Sequence, residues 1–306
     1  EPSDWGNYGT DLLTPTAFDA VITKPWEFAA RAAVTNRNAS GLYSAMASTV
    51  AAIPAGKTAV AETNDHDSNR LASDFNSSNA TTMNGRQKVA AAILLTQPFP
   101  PNIYYGDEIG MKGSKATTGT DADDIPMREP FKWKAVAGAP MSNYAALTSG
   151  TKPPTYAANN DGRSVEEQKG VSGSILEAYR SLIAVRKASV ALRRGSYTPI
   201  TCPDAGVFAF VRSDPAETVL VAINVGSGNT STTLDLSAFT VPTAGTAPVS
   251  LESGATLPSI TAANKAAYPI TLNGRAWTIA RASLSLPVVV THADIDGRSI
   301  PADAGE

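Results

Sequence analysis

Several features that commonly stabilise or localise a protein are scarce in this chain of 306 residues. It holds a single cysteine, Cys202, so no disulfide can form within it. No stretch approaches the roughly 20 apolar residues that a membrane-spanning helix needs. The net charge of -3 is small and the basic residues are scattered. These absences predict a protein with no nucleic-acid partner and no membrane span.

The composition otherwise fits a folded protein, since 42% of the residues are hydrophobic. Lysine is scarce relative to Ala, Ser, Thr, Asn and Gly, a balance typical of exported bacterial enzymes, so we expect a secreted or periplasmic location. The first residue is Glu1, not Met, and no signal peptide precedes it. We therefore expect a processed or partial chain.

The periodicity of apolar residues divides the chain into two regions. Helical patterns and short apolar runs alternate up to about residue 111, and a Gly- and Pro-rich stretch follows to about residue 172. A helical stripe over 173–194 then ends at Gly195. From Ser196 onward the apolar residues recur with a period of two. The expected fold is α/β over residues 1–194, an antiparallel β-sandwich over 195–291 and a loose tail over 292–306.

Individual elements follow from the same patterns. In the first region, the sequence predicts helices over 42–52 and 86–96, each followed by a strand, at 58–61 and 102–106. In the second region it predicts strands at 207–211, 219–223, 231–235, 268–272, 276–280 and 283–290. Trp277 and Tyr268 could stack on sugar rings, but aromatic residues in short strands are more often part of the core.

Polar and charged residues crowd the end of the strand at 58–61, from Glu62 to Arg70. Two interpretations are open. The segment could be an acidic turn in which Asp67 or Ser68 caps the next helix. Alternatively, these groups could line a site at the carboxyl end of a barrel strand, where parallel α/β barrels place their catalytic residues.

The segment His66-Asp67-Ser68-Asn69-Arg70 follows Asn64 and Asp65. It resembles the fourth conserved motif of the α-amylase family, glycoside hydrolase family thirteen. That family usually has Asn where Asp65 stands, so either Asn64 is displaced by an inserted residue or the Asn has been replaced. Further similarities follow in the family's order: the eighth-strand segment 104–111, a motif at 127–133 with a segment at 164–168, and the last barrel helix with the residues after it, at 179–195. Together they cover roughly residues 1–225 and imply the C-terminal part of a (β/α)8 barrel followed by the sandwich.

The resemblance implies retaining hydrolysis of α-1,4-glucosidic bonds in starch or maltooligosaccharides. It implies that Asp67 is the catalytic aspartate that binds sugar hydroxyls and stabilises the transition state. His66 would bind a hydroxyl of the same sugar, and Arg70 is the second expected substrate-binding residue, which could also orient nearby carboxylates. No metal ligand is expected among these residues.

Part of the family's machinery has no match in the sequence. The nucleophile and its motif are missing, and Glu1 lies near the position of the acid but in a different context, so the acid is expected at Glu1 or just upstream. The expected partners are an α-glucan and the N-terminal half of the same enzyme. In the family a protruding second domain, with no match in this sequence, carries most calcium ligands, so the resemblance implies Ca2+ in the intact enzyme. An α-glucosidase or a transglycosylase of the family would share the same motifs. A non-catalytic glucan-binding or interaction member is a further alternative, but the intact His66-Asp67 pair argues against it.

Overall fold

A computed structural model describes residues 19–286, except for residues 55, 118, 120 and 137–157. Helices and short strands alternate in its first region, and antiparallel strands make up the second, which confirms the predicted order. The first region contains β1 (Ala20–Ile22), α1 (Lys24–Asn36), α2 (Ser40–Ala52), β2 (Thr58–Val60), α3 (Leu71–Asp74), α4 (Ala80–Thr96), α5 (Val165–Gln168), α6 (Ile175–Ala188) and α7 (Val190–Arg194). Short 3-10 turns lie at Asp107–Ile109 and Asp121–Met127.

The strands β1 and β2 pair in parallel, with Val21 opposite Ala59. The strand predicted at 102–106 is not formed. A single parallel bridge joins Ala61 to Pro101, and the amide of Asn102 donates to the carbonyl of Ala61. The physical reason is local: Pro98, Pro100 and Pro101 offer no amide hydrogen to a sheet. The chain therefore touches the edge of β2 once and turns away.

The second region contains β3 (Ser196–Pro199), β4 (Val207–Asp214), β5 (Glu217–Asn224), β6 (Thr230–Leu234), β7 (Val249–Ser250), β8 (Tyr268–Leu272) and β9 (Trp277–Arg281). Five strands form one sheet in the order β3-β4-β5-β9-β7, and β6 pairs with β8 in a second sheet. The sequence predicts five of these strands but neither β3 nor β7. Of the strand expected at 283–290, the described residues to 286 form only a bridge between Ser285 and Thr240.

The strands β4 and β5 are buried on both faces. Phe208 and Phe210 point toward the first region, where Phe208 meets the ring of Tyr43 with a centroid distance of 5.0 Å. Ala209 and Val211 point the other way, into the apolar core of the sandwich. Alternate side chains of one strand thus belong to two cores, as the period of two requires.

The helix predicted over 173–194 is two helices, because the chain breaks at Ser189. The hydroxyl of Ser189 accepts a hydrogen bond from the amide of Leu192 and so caps α7. The second helix ends at Gly195, as expected, although its φ of -64° is ordinary. The need for glycine is steric, since a Cβ there would lie 2.6 Å from the carbonyl oxygen of Ala191.

Two buried arginines donate to carbonyls at or just after the C-terminal end of α4, and one of them, Arg212, joins the two regions. Arg186 donates to the carbonyls of Leu95, Gln97 and Phe99. Arg212, on β4, donates to the carbonyls of Thr96, Leu192, Gly195 and Ser196. The carbonyls at the C-terminal end of α4 carry a partial negative charge, so cationic donors suit this position.

Candidate active site

The carboxyl end of β2 leads directly into the polar segment 62–70. Its middle is exposed: the side chains of His66 and Asp67 are 61% and 57% accessible to solvent. Its flanks are buried, including Glu62, Asn64 and Arg70. The structure therefore presents His66 and Asp67 together on a loop whose two ends are fixed in the protein. The following helix begins at Leu71 with Arg70 as its N-cap, so neither Asp67 nor Ser68 caps it.

An ionic contact orders the exposed pair. The Nε2 atom of His66 lies 3.3 Å from Oδ1 of Asp67. Nη2 of Arg128 donates to the same Oδ1 at 2.8 Å and to Asp124 at 2.9 Å, while Nε of Arg128 donates to the carbonyl of His66 at 3.1 Å. Arg128 thus holds both the backbone and the carboxylate of the pair. Sequence reasoning gave Arg128 no role, although it lies in one of the recognised motifs.

The turn at 65–68 is closed by the carboxylate of Asp65. Its Oδ1 accepts the amide hydrogens of Asp67, at 3.0 Å, and Ser68, at 2.8 Å. Its Oδ2 accepts from Nζ of Lys24, which also donates to Glu62 at 2.8 Å and Glu27 at 2.9 Å. Burial by itself raises the pKa of Asp65, but the hydrogen bonds from Lys24 and the two amides outweigh it and lower that pKa to about 2.

Arg70 is fully buried beneath the loop. Its Nη1 donates to the carbonyl of Tyr105 at 2.6 Å, and its guanidinium lies 4.8 Å from the ring centre of Tyr104 and 4.7 Å from that of Tyr105. The structure does not place Arg70 on the exposed surface with His66 and Asp67. A direct contact between Arg70 and a substrate would require the segment at 104–105 to move.

The eighth-strand motif supports the loop from below. Asn64 donates to Oδ1 of the buried Asp107 at 2.9 Å, and Glu108 accepts from the amide of Gly106 at 2.7 Å. Burial raises the pKa of Asp107 to about 7, although nearby Arg70 and the Asn64 hydrogen bond oppose this shift. These two carboxyl groups accept hydrogen bonds within the turn and do not face solvent with Asp67.

Calcium does not fit the acidic groups in the part of the chain that the structure describes. Glu27, Glu62 and Asp65 bring their oxygens within 4.8 Å of one another, but the ammonium of Lys24 bonds to all three. A second group contains His66, whose nitrogen is a poor ligand for an ion that prefers oxygen. No catalytic step is therefore assigned to a metal bound here.

The aromatic residues considered for glucan stacking differ in their surroundings. Tyr268 is buried in the sandwich core, and its hydroxyl donates to the carbonyl of Pro258. Trp277 is half-buried, and its Nε1 donates to Glu252 at 2.8 Å. Tyr268 therefore offers no ring face to a sugar. Across the described segments, no helix is both long and apolar enough to cross a membrane.

Comparison with known families assigns both regions. The family described as "Alpha amylase, catalytic domain" matches residues 14–195, and "Maltogenic Amylase, C-terminal domain" matches residues 198–279. These matches confirm the resemblance stated from the motifs, and they confirm the fold expected from it.

Curated relatives have several activities in their names. Alpha-amylase 3 of Dictyoglomus thermophilum is 31% identical over 137 residues, which is 45% of this chain and 25% of the relative. Trehalose synthase/amylase TreS of Mycobacterium tuberculosis is 32% identical over 192 residues, or 61% of this chain and 30% of the relative. Probable oligo-1,6-glucosidase 2 of Bacillus subtilis is 26% identical and covers 52% of this chain and 33% of the relative. The chain thus spans about a quarter to a third of these relatives.

A solved structure shows the same fold. The alpha-amylase from H. orenii matches with a TM-score of 0.63 at 20% identity, covering 87% of this chain and 49% of that one. The Anoxybacillus alpha-amylase matches with a TM-score of 0.59 at 18% identity, covering 95% and 52%. At such low identity these likenesses concern the fold alone.

Proposed function

Because this chain belongs to the alpha-amylase catalytic domain family of glycoside hydrolases, we propose that the full-length protein hydrolyses α-1,4-glucosidic bonds of starch or maltooligosaccharides with retention of configuration. The supporting observation is the exposed His66–Asp67 pair at the carboxyl end of β2, on a loop whose flanking residues Glu62, Asn64 and Arg70 are buried. In α/β barrels this end of the strands carries the catalytic groups.

The proposed chemistry of Asp67 follows from its charge and position. Cleavage of a glucosidic bond passes through a transition state with oxocarbenium-ion character. A carboxylate that accepts hydrogen bonds from the hydroxyls of the reacting sugar stabilises this state when those bonds strengthen as positive charge develops on the ring. His66, 3.3 Å from Asp67, is placed to bind a hydroxyl of the same sugar.

Arg128 has a proposed role in the resting site. Its hydrogen bond to Oδ1 of Asp67 fixes the carboxylate before substrate arrives, and Oδ2, which has no hydrogen bond from the described residues, would accept a sugar hydroxyl. A group held in its reactive orientation loses less entropy at the transition state. Arg128 therefore adds a positioning residue to the predicted pair.

The nucleophile and any calcium ligands are proposed to lie in an N-terminal half of the same enzyme. The acid is proposed at Glu1, which lies outside the described residues, or just upstream of it. We retain the expectation of a secreted or periplasmic enzyme from the composition. The curated relatives include trehalose synthases and oligo-1,6-glucosidases. Product analysis must therefore separate hydrolysis from glucosyl transfer, and α-1,4 from α-1,6 preference.

The test is an assay of the full-length gene product on soluble starch, maltooligosaccharides and isomaltose, with products resolved by chromatography. We expect release of reducing sugar from the α-1,4 substrates. We expect Asp67→Asn to lower kcat by about 10³-fold or more, since it removes a transition-state interaction.

The matched control is Asp19→Asn, which changes a fully exposed aspartate at the amino end of β1. This variant should keep wild-type activity. Release of glucose mainly from isomaltose would show a preference for α-1,6 bonds and contradict the proposed activity. Formation of mainly transfer products would show a transglycosylase instead. A folded wild-type protein that binds glucan and cleaves none of these substrates would establish a non-catalytic member.

A further inference from the structure

The candidate site contains an unusual lysine. Lys24 is the first residue of α1, where the helix dipole places partial positive charge and acidic residues are favoured. Its ammonium bonds to Glu27, Glu62 and Asp65, and two of these three carboxylates are almost completely inaccessible to solvent. A lysine at this unfavourable helix position indicates that the neighbouring carboxylates require its positive charge.

The bond to Asp65 connects this lysine to the exposed loop. Asp65 uses its two oxygens differently: Oδ2 accepts from Lys24, while Oδ1 accepts from the amides of Asp67 and Ser68. The backbone of Asp67 therefore has its orientation set by a side chain that is itself fixed from α1. An asparagine could accept the two amide hydrogens, but its NH2 group would then face the donors of Lys24.

The other partners of Lys24 hold its ammonium group in place. Glu62, at the end of β2, also accepts from Asn102 at 2.9 Å, and Glu27 also accepts from Arg31 at 3.2 Å. Lys24 is thus anchored to α1, to the end of β2 and to the segment after Pro101. A displacement of its ammonium would change all of these contacts together.

We infer that Lys24 and Asp65 are positioning residues, which set the orientation of Asp67 from beneath the loop without touching substrate. The inference rests on the proposed function of Asp67 and adds to it the pair that holds this aspartate in place. In the motif resembled by this segment, Asp65 stands where Asn is usual, and the structure gives a reason: an aspartate is the partner that Lys24 requires.

The experiment compares four variants of the full-length protein, Asp65→Ala, Asp65→Asn, Lys24→Met and Lys57→Met, by kcat and KM on a chromogenic maltooligoside. Lys57→Met is the matched control, because Lys57 pairs with Asp19 at the opposite, amino ends of the same two strands. Circular dichroism and the melting temperature establish that each variant is folded at the assay temperature.

We expect Asp65→Ala to lower kcat by about 10²-fold, the scale of a 1 Å misplacement of a reacting group. Asp65→Asn keeps the acceptor for the two amides, so it should restore much of this loss and remain about tenfold below wild type, as should Lys24→Met. KM should change less than kcat in all three, because the interaction lost belongs to the transition state. Lys57→Met should stay within about twofold of wild type.

The failures are distinguishable. If the wild type cleaves the substrate and Asp67→Asn is inactive, but folded Asp65→Ala and Lys24→Met retain wild-type kcat, the positioning role is overturned and the proposed function stands. If these variants lose only melting temperature, the pair is structural and the inference is likewise wrong. If the folded wild type cleaves no α-glucan, the proposed function itself fails, and this inference fails with it.

Discussion

The two regions of the molecule differ in where they keep their charges. Among the described residues of the second region, the buried charged side chain is Arg212, which donates to carbonyls of the first region. The α/β region buries charged groups at the ends of its strands, including Glu27, Glu62, Arg70 and Asp107. Burying a charge is unfavourable unless it is paired. The difference indicates that the first region accepts the cost of burying charged groups around the loop at 62–70.

The largest expected effect tests whether the two regions unfold as one cooperative unit or independently. Phe208 is fully buried against Tyr43 and Phe210. Phe208→Ala should therefore destabilise the protein by about 3–5 kcal/mol. Because β4 serves both cores, thermal unfolding monitored by calorimetry should remain a single transition that moves to lower temperature.

The comparison variant is Phe239→Ala, since Phe239 is buried in the sandwich core only. It should move the same transition. Two separate transitions, with each variant moving a different one, would show that the regions unfold independently.

The next effect concerns the charged group at the junction. Arg212 is buried and donates to four backbone carbonyls of both regions. Arg212→Met keeps much of the volume but leaves those carbonyls without donors, so it should lower the free energy of unfolding by about 3 kcal/mol, measured in urea. Arg194→Met, which removes an exposed arginine beside Asp214, should cost less than about 1 kcal/mol. Equal losses of unfolding free energy in Arg212→Met and Arg194→Met would contradict a larger contribution from the buried arginine.

A pH dependence should distinguish the α/β region from the sandwich. The folded protein raises the pKa of Asp107 to about 7 through burial, above its ordinary value in the unfolded chain. The folded state therefore binds the proton more tightly, so the contribution of Asp107 to stability is complete below about pH 4 and is lost as the pH rises through about 7. Asp107→Asn should melt about as the wild type does at pH 4 and at a higher temperature at pH 8, by about 1–2 kcal/mol of stability.

The measurement for Asp107 is the melting temperature of both proteins between pH 4 and pH 8. Asp235→Asn, an exposed aspartate of the second region, provides the control and should show no gain at pH 8. A difference between Asp107→Asn and wild type that stays constant across this range would refute the assignment.

The smallest effect tests a cap that links the regions. Ser189 accepts from the amide of Leu192 and donates to Glu217 of β5 at 2.6 Å. Ser189→Ala should cost about 1–2 kcal/mol in urea unfolding. Ser174→Ala removes a cap within the first region, at Glu177, together with a hydrogen bond to the neutral carbonyl of Gln168, and should cost about 1 kcal/mol or less. A larger loss for Ser174→Ala would contradict the added value of the link to Glu217.

The sequence allowed the prediction of features that depend on neighbouring residues. The period of two over 207–223 identified β4 and β5, and the strand before Glu62 located His66 and Asp67 at a strand end. The break at Ser189 and the loss of a strand after Pro101 depend on a serine cap and missing amide hydrogens. The serine and the prolines are visible in the sequence, but the apolar pattern alone predicts one continuous helix and a further strand.

Other features lie beyond any local pattern. Lys24 meets Asp65 across 41 residues, and this contact exists only because β1 and β2 pair in parallel and bring their carboxyl ends together. Arg70 could not be distinguished as buried or exposed, since its surroundings come from Tyr104 and Tyr105. The role of Asp65 requires knowledge of Lys24. Long-range pairing therefore separates what the sequence predicts from what only the structure shows.

The double burial of β4 has a consequence for how such proteins evolve by recombination. If the sandwich alone were fused to a different catalytic domain, Phe208 and Phe210 would lose the side chains of the first region that cover them. A lineage that swaps this second domain must therefore swap the helices beneath it as well, or replace both aromatic residues at the same time. In this protein one buried apolar unit extends across the boundary at Gly195.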